Sequence, residues 1–296
     1  MSHYLGRFAP SPTGPLHFGS LVAAVASCTD ARAAGGRWLL RIEDVDVPRS
    51  APGAEDAIVS ALVQHGFAWD GDIVRQSERT PLYEAAIARL RAQDLVYECA
   101  CTRRELETAP LRDGERVYPG TCRAGIAPSR ARRTQRSVRV KVPAARIAFV
   151  DRVQGPQSQS LQQDVGDFVI KRADGWIAYQ LAVVVDDAAQ SITHVVRGAD
   201  LLSSTPRQIF LQRALELATP SYLHVPVAID RDGRKLSKQT DAPPLGGDPV
   251  RALMAAWTFL DQPLPLATPR TCAEFWQFAS RAWDSARVPP VSMLAA

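Results

Sequence analysis

The sequence lacks any long uncharged apolar run, although 46% of its 296 residues are hydrophobic. A helix that spans a bilayer needs about 20 mostly apolar residues. The first residues, Met1 to Arg7, also lack the apolar stretch and the small-residue cleavage site of a secretory signal. We therefore predict a cytoplasmic protein that contacts no membrane.

The sequence also has no large excess of charge of either sign. The 35 basic and 31 acidic residues leave a formal net charge of +4 at pH 7, which indicates only a mild preference for polyanions. Most of this excess is local, because residues 129–141 contain no acidic residue and hold Arg130, Arg132, Arg133, Arg136, Arg139 and Lys141. Such a stretch is either a solvated surface or a patch that contacts phosphates.

Cysteine is scarce and odd in number, with five residues in the chain. An odd count argues against a fully paired disulfide framework. Cys99, Cys101 and Cys122 lie close together, and in a cytoplasmic chain such clustering indicates a metal site. Cys28 and Cys272 fall in predicted helices, where we expect them to belong to the core.

The pattern near the start of the chain is typical of an α/β protein. Residues 4–9 predict a strand, residues 10–14 a loop, residues 20–34 a helix and residues 38–42 a buried parallel strand. In such a βαβ unit, ligands collect where the carboxyl ends of strands meet the N-termini of helices.

The later pattern predicts a second module and a return to the first. Further predicted elements are a helix at 54–65, a helix with Thr80 as its N-cap, strands at 138–142, 147–150 and 168–172, helices at 179–189 and 206–217, a strand at 224–229, and helices at 251–260 and 272–283. We predict a Rossmann-like, doubly wound parallel sheet from residues 1–95 and 168–240. An α+β module at 96–167 interrupts it, and a short helical C-terminal extension at 241–296 follows it.

Two motifs far apart in the sequence carry the main chemical signal. The first, Pro10 to Ser20, places His17 and backbone N–H groups at a helix start, which favours a phosphate, while Gly19 lets adenine or ribose approach the backbone. The second, Lys235-Leu236-Ser237-Lys238-Gln239, offers two lysines to the charge that develops on a leaving pyrophosphate. A lone histidine is usually structural and a lone lysine-rich turn is usually solvated, but the pair in this order predicts an ATP site.

This pair resembles the two signature motifs of class I aminoacyl-tRNA synthetases. Ser20 replaces the last histidine of the first motif, and Leu236 and Gln239 replace methionine and serine in the second. Residues 7–14, 39–46, 178–187 and 192–208 resemble the glutamyl branch of that family, apart from Ala199, where glutamyl enzymes commonly carry an acid. The resemblance implies a ligase that activates glutamate with ATP and Mg²⁺ as glutamyl-adenylate. It also implies catalytic roles for His17, Lys238 and Lys235, and ATP contacts from His17, Gly19 and Lys238.

Glutamate presents two carboxylates and one ammonium, so its pocket needs two guanidinium groups and one carboxylate. Arg7, Arg197 and Glu43 have these charges, and the resemblance points to them as well. The predicted glutamate site comprises Arg7, Phe8, Ala9, Pro10, Ser11, Glu43, Tyr179 and Arg197. Alternatively, Glu43 forms a salt bridge at a strand end and Tyr179 is a core aromatic. Which arginine holds which carboxylate stays open.

The cysteine cluster continues to Tyr118 and Cys122 in a C-x-C…Y-x3-C arrangement. Three thiolates and one oxygen donor can complete a tetrahedral zinc site, and water or another residue can replace the tyrosine. The arrangement resembles the zinc site of the glutamyl-queuosine branch, which implies one zinc per chain held by Cys99, Cys101, Tyr118 and Cys122. The alternative is a set of buried free thiols.

The acceptor of the glutamate is a separate question. Residues 240–296 are too few to form the helical domains with which full glutamyl-tRNA synthetases read the anticodon. With the cysteine motif, this resembles the glutamyl-queuosine branch, whose members transfer glutamate to queuosine at the wobble position of tRNA(Asp) and not to the tRNA 3′ end. In that branch the enzyme itself receives the anticodon arm, and we expect residues 96–167 to bind this acceptor, with phosphate contacts from the Arg-rich stretch.

Two alternatives accompany this interpretation. The first is a truncated enzyme that charges a tRNA 3′ end with help from a partner protein. The second is a non-enzymatic paralogue that binds tRNA, which we would expect to lack His17, Lys238 or the glutamate pocket, whereas all are present. We expect the protein to be a monomer.

Overall fold

The computed structural model describes residues 4–112, 114–230, 233 and 245–296. Lys235, Lys238 and Gln239 of the second motif lie outside these described residues. Within the described ranges, no helix combines the length and the apolar character needed to span a membrane.

The described strands and helices alternate along much of the chain. In chain order they are β1 (Leu5–Phe8), α1 (Phe18–Ala33), β2 (Arg37–Ile42), α2 (Ala54–Gln64), β3 (Val74–Arg75), α3 (Thr80–Ala92), β4 (Val96–Cys99), α4 (Arg103–Leu106), β5 (Leu111–Arg112), β6 (Glu115–Arg116), β7 (Ser137–Val140), β8 (Arg146–Asp151), β9 (Gly155–Ser160), α5 (Leu161–Asp164), β10 (Val169–Lys171), α6 (Tyr179–Ala189), β11 (His194–Gly198), α7 (Thr205–Ala214), β12 (Ser221–Val225), β13 (Val227–Ile229), α8 (Pro249–Phe259), α9 (Cys272–Ala282) and β14 (Met293–Ala295).

A parallel sheet in two adjoining parts forms the centre of the fold. The first part has the order β1-β2-β3 and the second pairs β11 with β12, all in parallel. The parts meet where Thr193 N donates to the carbonyl of Leu5 at 2.9 Å. Because Phe8 and Gly198, at the far ends of β1 and β11, line one cavity, these two strands run in the same direction. The predicted α/β fold with a parallel sheet is confirmed.

Helices cover both faces of this sheet. On one face α1 packs against β1, β2 and β11, while α8 and α9 of the C-terminal extension cover its outer side. Nearly every residue from Leu21 to Ala31 is therefore buried, and many of them are small, which allows the close approach. On the other face, α3, α6 and α7 enclose a second core around Leu90, Leu181 and Leu211.

Strands β4 and β7 of the inserted module form an antiparallel sheet with β10, in the order β10-β7-β4, and β8 and β9 form a separate antiparallel hairpin. We expected residues 168–172 to return to the parallel sheet, and that expectation was wrong because β10 pairs antiparallel with β7. The apolar pattern of this run predicts a strand but carries no information about its partner. The limits of the inserted module at 96–167 stay a prediction.

Three further details of the secondary structure differ from expectation. The strand predicted at 224–229 is two strands, because Pro226 has no N–H to donate and separates β12 from β13. Strand β13 pairs parallel with β14, so the C-terminal extension adds a strand to its two predicted helices. Thr80 is the first residue of α3, and Arg79 occupies the N-cap.

Candidate active site

A cavity of about 730 Å³ opens at the carboxyl ends of β1, β2 and β11. The residues predicted to bind glutamate all line it, together with His17: they are Arg7, Phe8, Ala9, Pro10, Ser11, Glu43, Tyr179 and Arg197. Gly19 is not part of the lining and lies in the first turn of α1. The position matches the crevice at strand ends where α/β folds bind ligands.

His17 is the N-cap of α1, and its extended backbone leads from the loop into the helix. Its Nδ1 atom accepts a hydrogen bond from Ser20 N at 3.4 Å, and its Nε2 atom lies 3.1 Å from Ser20 Oγ. Both side chains line the cavity, so the positive end of the α1 dipole faces it. An anionic group such as a phosphate is therefore favoured at this end of the cavity.

A buried ion network connects β1, β2 and α6 beneath the cavity. Asp187 accepts hydrogen bonds from Arg7 Nε at 3.1 Å and from Arg41 Nη2 at 2.7 Å. Arg41 Nη2 also lies 3.3 Å from Glu43 Oε1, and Arg41 Nη1 donates to Gln190 at 2.7 Å. The network holds Arg7 and Glu43 in fixed positions at the cavity wall.

Arg41 and Asp187 were missed as site residues in the sequence analysis. Arg41 lies within the buried strand predicted at residues 38–42, and Asp187 within the range 178–187, but neither was given a role at the site. The Arg41 side chain is fully buried. A buried charge requires a partner of opposite sign, so the available signal was an arginine inside an otherwise apolar strand.

Burial acts on the two carboxyls of this network with different outcomes. It raises the pKa of Glu43, and the nearby Arg41 and Arg7 offset only part of that rise. Burial also opposes ionisation of Asp187, but the direct contacts with Arg7 and Arg41 outweigh it and lower the pKa of Asp187. With Glu43 ionised, Arg7, Arg41 and Arg197 exceed the two carboxylates by one positive charge, whereas glutamate carries one net negative charge.

Arg197 is held on several sides. Its Nη2 atom donates to Thr205 Oγ1 at 2.8 Å, its Nε atom donates to His224 Nε2 at 3.0 Å, and its Nη1 atom donates to the Tyr179 hydroxyl at 3.4 Å. Burial raises the pKa of Tyr179, which therefore stays a neutral hydroxyl. The guanidinium of Arg197 and the hydroxyl of Tyr179 thus form one wall of the cavity.

Gln76 is a further residue that the sequence analysis missed. It lines the cavity, is fully buried, and donates through Nε2 to Asp186 Oδ2 at 2.8 Å. Its Oε1 atom is buried and has no hydrogen-bond partner within the described part of the chain. Strands β2 and β3 end on the pair Ile42 and Arg75, so Glu43 and Gln76 are the residues that directly follow the two paired strand ends. An unsatisfied acceptor beside a carboxyl suits a cation such as an ammonium group.

The cysteine cluster lies apart from the cavity, in the inserted module. The thiol sulfurs of Cys99, Cys101 and Cys122 lie within 4.8 Å of one another. The Tyr118 hydroxyl is 3.3 Å from Cys99 Sγ and 3.8 Å from Cys101 Sγ. Sulfur ligands about 2.3 Å from a tetrahedral zinc are separated by slightly less than 4 Å, so this donor set fits zinc.

The electrostatics of the cluster favour a thiolate at Cys99. Burial opposes ionisation there, but the Tyr118 hydroxyl, a backbone N–H and Arg139 lower the pKa of Cys99 to about 7. Burial raises the pKa of Tyr118. Arg139 stacks on the Tyr118 ring, 3.7 Å from its centroid. Of the other two cysteines, Cys28 is buried as expected, whereas Cys272 is only half-buried.

Most cations of the Arg-rich stretch form ion pairs with acidic residues of this chain. Arg130 and Arg133 both pair with Glu105, at 3.0 Å and 2.6 Å, and Arg133 also donates to the carbonyl of Ala100 between two of the cysteines. The remaining pairs are Arg136 with Glu98 at 2.6 Å and Lys141 with Asp94 at 2.8 Å. Most of these cations are thus already paired with carboxylates.

Comparison with known proteins identifies the family of this chain. Residues 5–244 match the family described as tRNA synthetases class I (E and Q), catalytic domain. A curated protein of Aromatoleum aromaticum named glutamyl-Q tRNA(Asp) synthetase is 56% identical over 289 residues, covering 97% of this chain and 90% of the relative. A protein of the same name from Dechloromonas aromatica is 53% identical over 298 residues, covering 99% and 98%.

A solved structure shows the same fold. The glutamate-tRNA synthetase of Elizabethkingia anophelis superimposes with a TM-score of 0.82 at 24% sequence identity, covering 98% of this chain and 67% of that one. The family match spans most of the chain and agrees with the high identity to the curated relatives. This chain therefore belongs to the family of class I tRNA synthetases (E and Q).

Proposed function

We propose that this enzyme activates glutamate with ATP and transfers it to the queuosine base of tRNA(Asp). The curated relatives that share more than half of its residues carry the name glutamyl-Q tRNA(Asp) synthetase. The observation that carries the proposal is the charge pattern of the cavity, where buried arginines face Glu43 in a space that suits a small dicarboxylic amino acid.

Glutamate fits this pattern group by group. Arg197 and Arg7 bind the two carboxylates, because a guanidinium grips a carboxylate through parallel hydrogen bonds. Glu43 binds the ammonium, and Gln76 Oε1 accepts one of its N–H groups. The Tyr179 hydroxyl and Ser11 complete the contacts with the substrate.

The first step is formation of glutamyl-adenylate. An oxygen of the glutamate α-carboxylate attacks the α-phosphorus of ATP, the bond from that phosphorus to the bridging oxygen breaks, and pyrophosphate leaves. Mg²⁺ bound to the phosphates would stabilise their negative charge. His17 and the N-terminus of α1 stabilise the charge on the phosphates. Lys235 and Lys238 lie outside the described residues, and their role in this proposal is to neutralise the charge that develops on the leaving pyrophosphate.

The second step is transfer. A hydroxyl of the queuosine cyclopentenediol attacks the activated carbonyl, an ester forms, the proton of the hydroxyl leaves, and AMP departs. The name of the relatives favours this acceptor over the tRNA 3′ end. The inserted module, with exposed Arg103, Arg104 and Arg132, provides cations for the phosphates of the anticodon arm.

Cys99, Cys101, Tyr118 and Cys122 would hold the zinc and would thereby cross-link the end of β4 and the loop after it to the segment before β7. When bound, it supplies structural cross-linking to a module that has a small core of its own. Arg130, Arg133 and Glu105 support the same loop from outside.

ATP–pyrophosphate exchange without tRNA tests the first step. We expect exchange with glutamate and none with aspartate or glutamine. The arginine pair and Glu43 match two carboxylates separated by the length of the glutamate side chain, whereas the aspartate side chain is shorter and the glutamine side chain is neutral. Exchange that is independent of glutamate would contradict the proposal. Exchange with glutamine would mean that a neutral side-chain amide lies beside Arg7 or Arg197 in place of a carboxylate.

Transfer is tested with tRNA(Asp) that contains or lacks queuosine and contains or lacks the 3′-terminal adenosine. We expect labelled glutamate on every tRNA with queuosine, whether or not its 3′ end is intact. Labelling that depends on the 3′ adenosine and ignores queuosine would favour the alternative, an enzyme that charges a tRNA 3′ end.

A further inference from the structure

A hydrogen-bonded chain leads from Arg197 away from the cavity into the protein. Arg197 Nε donates to His224 Nε2 at 3.0 Å, and the opposite ring nitrogen, His224 Nδ1, lies 2.6 Å from Asp151 Oδ2. The side chains of His224 and Asp151 are fully buried. His224 belongs to β12, whereas Asp151 ends β8 at the turn of the β8–β9 hairpin.

The second oxygen of Asp151 is occupied by backbone donors. Asp151 Oδ1 accepts from Val153 N at 3.0 Å, from Gln154 N at 2.9 Å and from His224 N at 3.2 Å. These contacts leave one orientation for the carboxylate, in which Oδ2 faces the imidazole ring. The Asp151 carboxylate therefore accepts a hydrogen bond from the Nδ1–H group of His224, and Nε2 keeps its lone pair for Arg197.

The environment keeps the ring in this neutral tautomer. Burial lowers the pKa of His224 to about 4, and the pairing with Asp151 offsets part of that effect while Arg197 adds to it. Thr205 Oγ1 lies 3.2 Å from Nε2 and also accepts from Arg197 Nη2. Asp151 itself has a lowered pKa, since its hydrogen bonds outweigh its burial.

We propose that Asp151 and His224 are positioning residues that fix the direction of Arg197 and thereby set the affinity for glutamate. This inference rests on the proposed function, in which Arg197 binds a glutamate carboxylate. Neither residue lines the cavity, so both act through Arg197. The β8–β9 hairpin, a feature of the inserted segment, then contributes to substrate recognition in the parallel-sheet domain.

Asp151→Asn tests the proposal most directly. Its amide oxygen must stay with the three backbone N–H groups, so its NH₂ group faces His224 Nδ1. The ring then carries its proton on Nε2, which leaves the Arg197 Nε–H group opposite another donor. We expect the KM for glutamate to rise about tenfold, the size expected when one hydrogen bond to a charged group is lost, with the KM for ATP unchanged.

Two variants of His224 separate the effect of its hydrogen bond to Arg197 from the effect of its packing. His224→Gln can place an acceptor near the Nε2 position, whereas His224→Leu fills similar space without one. We expect His224→Leu to raise the glutamate KM about tenfold, and His224→Gln to recover most of that loss. Equal glutamate KM values in the two variants would overturn the proposal even if both are less stable than the wild type.

Asp30→Asn is the matched control. Asp30 is also a buried carboxylate and pairs with Arg152, the residue next to Asp151, so it anchors the same turn from the other side. We expect Asp30→Asn to lower the melting temperature without changing the glutamate KM. A similar rise in KM for both aspartate variants would show general loosening of the turn and overturn the proposal.

The assay distinguishes this proposal from the one on which it rests. Wild-type protein without glutamate-dependent exchange would refute the proposed function. Wild-type exchange together with an unchanged glutamate KM in Asp151→Asn would refute the positioning role alone.

Discussion

The carboxylate of Asp187 holds the guanidinium of Arg7 through two contacts, 3.1 Å from Nε to Oδ1 and 3.4 Å from Nη2 to Oδ2. Arg7 lies on β1 and Asp187 on α6, so the pair joins elements that are 180 positions apart in the sequence. Arg41 shares the same carboxylate. A residue that the proposed mechanism assigns to substrate binding is thus held by an ion pair of the core.

Replacing this carboxylate tests its contribution. Asp187→Asn leaves Arg7 and Arg41 buried without their shared anion, and we expect a loss of about 3 kcal/mol in the free energy of unfolding. We also expect a higher glutamate KM, because Arg7 loses its fixed direction. Denaturant unfolding and pyrophosphate exchange measure the two effects. Unchanged stability would contradict the network described for Asp187.

The raised pKa of Glu43 predicts a pH dependence of glutamate binding. Its protonated form cannot pair with an ammonium, so lowering the pH through this raised pKa removes the ion pair. Below that pKa we expect the glutamate KM to rise up to about tenfold per pH unit. Asp187, whose pKa is lowered, and His224, with a pKa of about 4, keep their charge states in that window.

The measurement is the glutamate KM at saturating ATP between about pH 5 and pH 8. Glu43→Gln should bind glutamate more weakly at high pH and should lose the pH dependence, because its amide does not titrate. If Glu43→Gln retains the full pH dependence, another group is responsible and the role of Glu43 is wrong.

The cysteine cluster predicts one zinc per chain. We expect metal analysis to find zinc in the wild type, less zinc in Cys101→Ser, and an unchanged content in Cys272→Ser, since Cys272 lies on α9 away from the cluster. Cys101→Ser should also melt at a lower temperature. Pyrophosphate exchange should persist in that variant because the cluster is not part of the cavity lining. Wild-type protein purified without zinc, and unable to bind it, would contradict this prediction.

Strand β14 offers a matched pair of variants on alternate faces. Leu294 packs against the core around α1, whereas the neighbouring Met293 is exposed. We expect Leu294→Ser to cost about 1–2 kcal/mol in the free energy of unfolding, the range for part of a buried leucine, and Met293→Ser to cost less than about 0.5 kcal/mol. Thermal or denaturant unfolding of the two variants checks this, and equal losses would contradict the packing of β14.

A consequence for ATP follows from the pairing of β14. Its partner β13 ends at Ile229, shortly before the segment that contains Lys235 and Lys238. We therefore expect Leu294→Ser to raise the KM for ATP and to leave the KM for glutamate unchanged. If only stability changes, β14 does not affect the lysine motif.

The sequence by itself determined the class of fold and part of the set of residues that line the cavity. Apolar runs, glycine and proline turns and helix caps are local signals, so β1, α1 and β2 were predicted within a few positions of where they lie. The groups that glutamate needs are likewise defined by chemistry, and Arg7, Glu43, Tyr179 and Arg197 do line one cavity. Their individual roles stay predictions.

Only the tertiary structure decided which strands pair and which buried charges neutralise each other. Residues 168–172 have the pattern of a strand in either sheet. Their partner β7 lies about 30 positions earlier in the sequence, and only packing in the folded chain brings the two strands together. Asp187 beneath Arg7, and Asp151 behind His224 and Arg197, are contacts between distant segments that no local pattern encodes. Burial then changes the pKa of each group, because desolvation and the neighbouring charges exist only in the folded chain.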